Sequence, residues 1–157
     1  MSKLSQELLL DLEDFISEKY IDISNLQFQR ARPFGKNDSL DQILKEQAET
    51  FRDKLFSMIK AKGLDEVEIY KKAGMSRQVF SKIRSDPQYH PKKNTIFALA
   101  VGMNLSIDET AELLDAAGYS FTRTSKIDLI VQYFMFQKEY DIDSINEALV
   151  KYQLETL

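Results

Sequence analysis

The chain has 157 residues, 43% of them hydrophobic, which suits one compact domain with a real core and is too apolar for wholesale disorder. It has no cysteine, which excludes disulfides, thiol catalysis and cysteine-ligated zinc, and its one histidine, His90, is too few for a histidine metal site. The formal net charge of −4 is unevenly spread: residues 1–50 carry 6 basic and 10 acidic side chains, 51–125 carry 12 and 9, and 126–157 carry 3 and 6. Within the middle part, residues 71–93 hold seven basic side chains and a single acid, Asp86, a concentration that can steer an anionic partner even on an acidic protein.

No apolar run approaches the roughly 18 residues that cross a bilayer. The first residues, Met1-Ser-Lys-Leu-Ser-Gln-Glu, mix charges early and have no small-residue cleavage site, so they do not read as a signal peptide. A cytoplasmic protein without a membrane partner is expected.

The first predicted element is an amphipathic helix from Leu4 to about Lys19. Leu8, Leu12, Phe15 and Ile16 recur on one side and Glu7, Asp11, Asp14 and Glu18 on the other. Periodicity then fails from Ile21 to Asp38, where Pro33, Gly35 and Asn37-Asp38 predict a surface connector, and its basic cluster (Arg30, Arg32, Lys36) reads as a solvated loop. Ser39, with Gln42 at the capping-box position, opens a long helix to about Lys62. Its apolar stripe is Ile43, Leu44, Phe51, Leu55, Phe56 and Ile59, and Gly63 ends it.

A short helix from Asp65 to Lys72 is expected to turn Val67, Ile69 and Tyr70 inward. Gly74 breaks it, and Ser76 caps the next helix, which runs to about Ser85. Pro87 and Pro91 keep Asp86–Pro91 from continuing that helix. A helix starting at Asn94 or Thr95 runs through Val101 to Gly102. Another opens at Ser106, with Glu109 three residues on, and ends at Gly118. The last two predicted helices are Ser125–Lys138, apolar nearly all round through Tyr133, Phe134 and Phe136, and Ser144 to about Tyr152. The alternate oxygens of Asp141–Glu147 lack the glycine and distal glutamate of a calcium loop and read as a helix cap. No strand and no internal repeat is expected.

The most informative stretch is Val67-Glu-Ile-Tyr-Lys-Lys-Ala-Gly-Met-Ser-Arg-Gln-Val-Phe-Ser-Lys-Ile-Arg84. Two short helices that cross steeply need a small residue at the crossing (Ala73) and a cheap positive φ in the turn (Gly74). Met75 would plug the core beneath the turn, Ser76 would cap the second helix, and Val79, Phe80 and Ile83 would give that helix its buried face. Arg77, Gln78, Ser81, Lys82 and Arg84 are left on or near the outside.

This segment resembles the helix-turn-helix of the lambda repressor-like (Cro, or XRE-type) family, in which alanine, glycine, an apolar residue and a capping Ser or Thr follow one another as Ala73, Gly74, Met75 and Ser76 do here. Asn94-Thr-Ile-Phe-Ala-Leu-Ala-Val-Gly-Met-Asn-Leu-Ser106 is similar to the family's fourth helix and following turn, and Ile107-Asp-Glu-Thr-Ala-Glu-Leu-Leu-Asp-Ala-Ala-Gly-Tyr119 to its fifth. The resemblance covers roughly residues 50–119.

The resemblance implies an all-α chain with a lambda repressor-like five-helix DNA-binding domain, an N-terminal helix and a C-terminal helical extension. The expected divisions are 1–38 (helix and connector), 39–120 (helix-turn-helix domain) and 121–157 (a helical pair, on the core or forming a dimer interface). It implies a transcriptional regulator of double-stranded DNA whose recognition helix, about 76–85, lies in the major groove. Arg77, Gln78 and Ser81 would face bases, the helix start at Ser76 would favour a phosphate, and Lys82, Arg84, Lys92 and Lys93 would touch phosphates.

A homodimer on paired half-sites is a further expectation, with Tyr133, Phe134 and Phe136 buried either within the chain or against a second copy. The alternative is a non-enzymatic adaptor that uses the same scaffold to bind a protein, since fold does not dictate function. His90 reads as packing beside Pro91 or as a phosphate contact, and Tyr89 likewise. No nucleophile–base set, phosphate loop or zinc motif is present, so neither catalysis, nor a cofactor, nor a metal is expected.

Overall fold

Residues 4–21, 40, 41 and 50–157 are described by the computed structural model, and every regular element among them is an α-helix. In chain order these are α1 (Gln6–Lys19), α2 (Phe51–Lys62), α3 (Glu66–Lys72), α4 (Arg77–Ser85), α5 (Lys93–Gly102), α6 (Ile107–Ala116), α7 (Lys126–Phe136) and α8 (Ile142–Lys151). The all-α expectation holds for them. The basic connector (Arg30, Arg32, Lys36), the cap at Ser39 and the stripe residues Ile43 and Leu44 lie outside the described residues.

Short polar side chains start most of these helices by accepting an otherwise unpaired amide, a contribution of about 1 kcal/mol each. Ser5 Oγ accepts from Leu8 N–H (3.1 Å), Ser76 Oγ from Val79 N–H (3.2 Å) and Ser125 Oγ from Asp128 N–H (3.3 Å). Ser106 and Glu109 form the reciprocal capping box that their spacing predicts, at 3.1 Å in both directions.

Three boundaries differ from expectation. Thr50 has an extended backbone and its Oγ1 accepts from Asp53 N–H (3.2 Å), so α2 starts at Phe51 and the expected continuous helix 39–62 is broken there. Asp141 takes the cap of α8, accepting from Asp143 N–H and from the Ser144 hydroxyl (both 3.1 Å), so Ser144 is inside the helix rather than at its start. Helix α5 starts at Lys93, ahead of the expected Asn94 or Thr95, and ends at Gly102 as expected, with that glycine buried. A Cβ on Gly102 would stand 2.5 Å from the Ile69 carbonyl oxygen and 3.2 Å from Ala73 Cβ, so this glycine is what lets α3 and α5 touch backbone to backbone.

The core is centred on α5, where every residue from Ile96 to Gly102 is buried. It packs against α3, α6 and α8, and α7 contributes Ile130, Val131, Tyr133, Phe134 and Met135 to the same buried cluster. Each fully buried Leu, Ile or Phe contributes about 1.5–3 kcal/mol. Helix α1 lies on α7 through Leu12, Ile16 and the Phe15–Tyr133 ring pair (centroids 5.5 Å apart). Its C-terminal carbonyls are capped by Arg123, whose guanidinium donates to Lys19 O (2.7 Å) and Glu18 O (3.3 Å).

Val67, expected to turn inward, does not, and Phe136 is not buried within the chain. Val67 is 42% exposed because α3 is barely two turns long and only Ile69 on it is fully buried. Phe136 is 73% exposed on the last turn of α7, although Tyr133 and Phe134 beside it are buried within the chain. No helix among the described residues is long and apolar enough to cross a membrane.

Candidate nucleic-acid interface

Helices α3 and α4 are joined by a turn built from local chemistry. Gly74 takes φ 66°, which is cheap for glycine. Its N–H donates to Lys71 O (3.1 Å) and the Met75 N–H donates to Tyr70 O (2.9 Å), the paired closure in which an apolar residue follows the glycine. Met75 is half-buried against the core, and Ser76 then caps α4. Ala73 is buried, and its methyl faces Gly102 of α5. Its small size therefore serves the α3–α5 contact as well as the turn.

Only Phe80 and Ile83 of α4 are buried, with the Phe80 ring 5.9 Å from Phe56 and 5.8 Å from Tyr70. Val79, expected to share that buried face, is 41% exposed. On the outside, Arg77, Gln78, Ser81 and Lys82 are exposed and, with Ser85, line one open hollow of about 470 Å³. The first turn of α4 has no acid, and neither Arg77 nor Lys82 is ion-paired within the described residues.

The predicted set divides. Ser76, Arg77, Gln78, Ser81, Lys82 and Lys92 are exposed. Arg84, also exposed, and the half-buried Lys93 are each held in an ion pair within the chain. Arg84 pairs with Glu66 of α3, and its guanidinium lies over Phe56 (5.9 Å) and Phe80 (5.8 Å), bracing α4 against α2 and α3. Lys93 Nζ reaches the buried Asp128 Oδ2 at 2.5 Å, and that same oxygen accepts from Thr122 N–H at 2.8 Å. Taken out of water, the Asp128 carboxylate requires these donors. Both residues therefore hold helices in place, a role that sequence reasoning missed because Glu66 and Asp128 are distant in the chain.

Sequence reasoning also left out Ser85 and Val79 on α4, and Asn94 and Thr95 at the start of α5. Val79, Asn94 and Thr95 line a second hollow with Ser76 and Lys92. The signal for it was the missing acid: α5 has none in its first turn, and its cap residue Lys92 makes no side-chain capping bond. The starts of α4 and α5 thus present amide-rich, partially positive helix ends on adjoining parts of the surface.

The proline-bound connection between α4 and α5 is tied down. Asp86 Oδ1 accepts from Gln88 N–H (2.9 Å) and Asp86 O from Tyr89 N–H (3.1 Å). His90 Nε2 lies 3.1 Å from Ala117 O, with its ring against Tyr119, whose hydroxyl donates to Pro91 O (3.0 Å). Tyr89 is half-buried, and burial pushes its hydroxyl pKa up. Both aromatic residues pack here.

Among the acidic groups, Glu66 is paired with Arg84, while Glu155 lines the second hollow. Lys62 pairs with Glu109 (2.6 Å) and Lys54 with Glu112 (3.2 Å). The Lys62 hydrogen bond, more than the cap bonds, holds the Glu109 carboxyl below its ordinary pKa. The acidic face of α1 belongs to a helix that packs on α7, and Asp11, Asp14 and Glu18 line a hollow there with Phe15, Tyr133 and Phe136. The outer row of α4 can therefore donate hydrogen bonds and positive charge to an anionic, polar-edged partner. Compared with protein-family models, with curated proteins and with solved structures, the chain matches none.

Proposed function

We propose that the chain is a cytoplasmic, sequence-specific DNA-binding regulator that places α4 in the major groove, as its resemblance to the lambda repressor-like family implies. The observation that carries this reading is the row Arg77, Gln78, Ser81 and Lys82, exposed on one side of a helix whose other side is anchored by Phe80 and Ile83. Arg77 has the fork that pairs with guanine, Gln78 the amide that pairs with adenine, and Ser81 a hydroxyl that suits either. Lys82 and Lys92, with the amides at Ser76, supply phosphate contacts. Arg84 and Lys93 act as positioning residues. A second copy would engage the paired half-site, about 34 Å along the duplex.

Binding of the purified protein to a random duplex pool, followed by fluorescence polarisation at low and physiological salt, tests the reading. Affinity should fall steeply with salt, with a log–log slope of about 0.9 per phosphate contact, and repeated selection should enrich a sequence. Absence of binding at low salt would remove it.

One observation favours a second reading, a protein adaptor. Phe136 stands exposed beside Phe15 and Tyr133 and is rimmed by Asp11, Asp14 and Glu18. Such a surface repels DNA and suits a basic, apolar protein segment. Phe136→Ser should abolish partner capture without touching DNA affinity.

A further inference from the structure

Past α8, Gln153 turns the chain at φ 59° and Leu154 N–H donates back to Leu149 O at 2.9 Å. Residues Glu155, Thr156 and Leu157 then line the cleft of about 330 Å³ between the α3–α4 turn and the start of α5. Two hydrogen bonds hold them there. Asn94 Nδ2 donates to Thr156 O (3.3 Å), and Leu157 N–H donates to Asn146 Oδ1 of α8 (2.8 Å).

The other walls of this cleft include Ser76, Val79 and Lys92. Ser76 and Lys92 are residues the DNA reading assigns to a phosphate, and Asn94 is a donor, here engaged by Thr156 O, beside the uncapped start of α5. The cleft thus already holds a carbonyl oxygen on Asn94 and a carboxylate side chain where an incoming phosphate oxygen would sit. We infer that the segment Glu155–Leu157 and a DNA phosphate compete for this cleft, so that the segment sets the affinity of the neighbouring recognition helix. The inference rests on the DNA reading. Glu155 and Thr156 are exposed, and one of the two bonds is long, so the segment is held weakly enough to be displaced.

Asn146 lies on α8, away from the outer row of α4, so Asn146→Ala in the full chain releases the segment without altering the proposed DNA contacts. A second variant ends the chain after Leu154. Both are compared with the parent by fluorescence polarisation on the random duplex pool at low salt. Amide exchange at Leu157 reports release in Asn146→Ala, and circular dichroism reports that each variant is folded. Asn146→Ala should bind about threefold more tightly, the value of one hydrogen bond, and the shortened chain about tenfold. Equal affinity of parent and released variants overturns competition and leaves the DNA reading standing. Weaker binding overturns it too, because the segment would then belong to the DNA-contacting surface. Absence of binding by parent and both variants overturns the DNA reading and this inference together. Should the shortened chain fail to fold, Asn146→Ala alone decides.

Discussion

Helices α4 and α5 follow one another and have similar lengths, 9 and 10 residues, yet their neighbours treat them in opposite ways. From Ile96 to Gly102 every residue of α5 is enclosed, so each side chain there answers to the packing around it. On α4 only Phe80 and Ile83 are enclosed, and Arg77, Gln78, Ser81 and Lys82 answer to nothing within the described residues. Stability is concentrated in one helix, which leaves the surface of the next free to suit an outside partner.

The largest test of that contrast is Gly102→Ala. The added methyl meets the Ile69 carbonyl, a backbone atom that cannot move aside cheaply, and urea unfolding should show a loss of about 3 kcal/mol. A tolerated alanine would mean that α3 and α5 are not held at contact distance. Asp128→Ala comes next. It strands the Lys93 ammonium, whose side chain is 23% exposed, and should lower stability by about 2 kcal/mol.

A smaller effect belongs to the rim. Because the Lys62 bond lowers the Glu109 pKa, its stabilisation is complete above the ordinary carboxylate value, near ~4.3, and disappears as pH falls through the lowered value. Glu109→Gln should cost about 0.5 kcal/mol at neutral pH, discounted for an ion pair one-third exposed, and the Tm values of parent and variant should converge in strong acid.

Smallest in stability is Arg77→Ala, expected within about 0.5 kcal/mol of the parent. The same variant should lose sequence preference, whereas Lys92→Ala should weaken all sequences alike and reduce the salt slope by about 0.9. A large stability loss in Arg77→Ala would show that the outer face of α4 is structural, and the contrast with α5 would fail.

Elements fixed by neighbours in the chain were readable in advance. Ser76, Ser106 and Gly74 depend on atoms a few residues away, and their chemistry announces itself. Positions decided by distant partners were not. Periodicity turned Val67 and Val79 inward, because it marks the apolar side of a helix without telling how much of that side a neighbour covers. It also left Arg84 and Lys93 looking free, since Glu66 lies on another helix and Asp128 is 35 residues downstream. Gly102 does end its helix, but its close approach to α3 was not readable, because the carbonyl that demands it belongs to that other helix. The outer row of α4 was legible because solvent imposes the fewest conditions.

The Lys93–Asp128 pair has a consequence for protein engineering. A designer who wished to graft α4 and its neighbours into a chimera could not cut at residue 120. The graft would carry an ammonium shorn of its counter-ion and leave α5 without the helices that cover it. The transferable cassette runs on through α7 and α8, so the portable unit is larger than the two crossing helices and their turn.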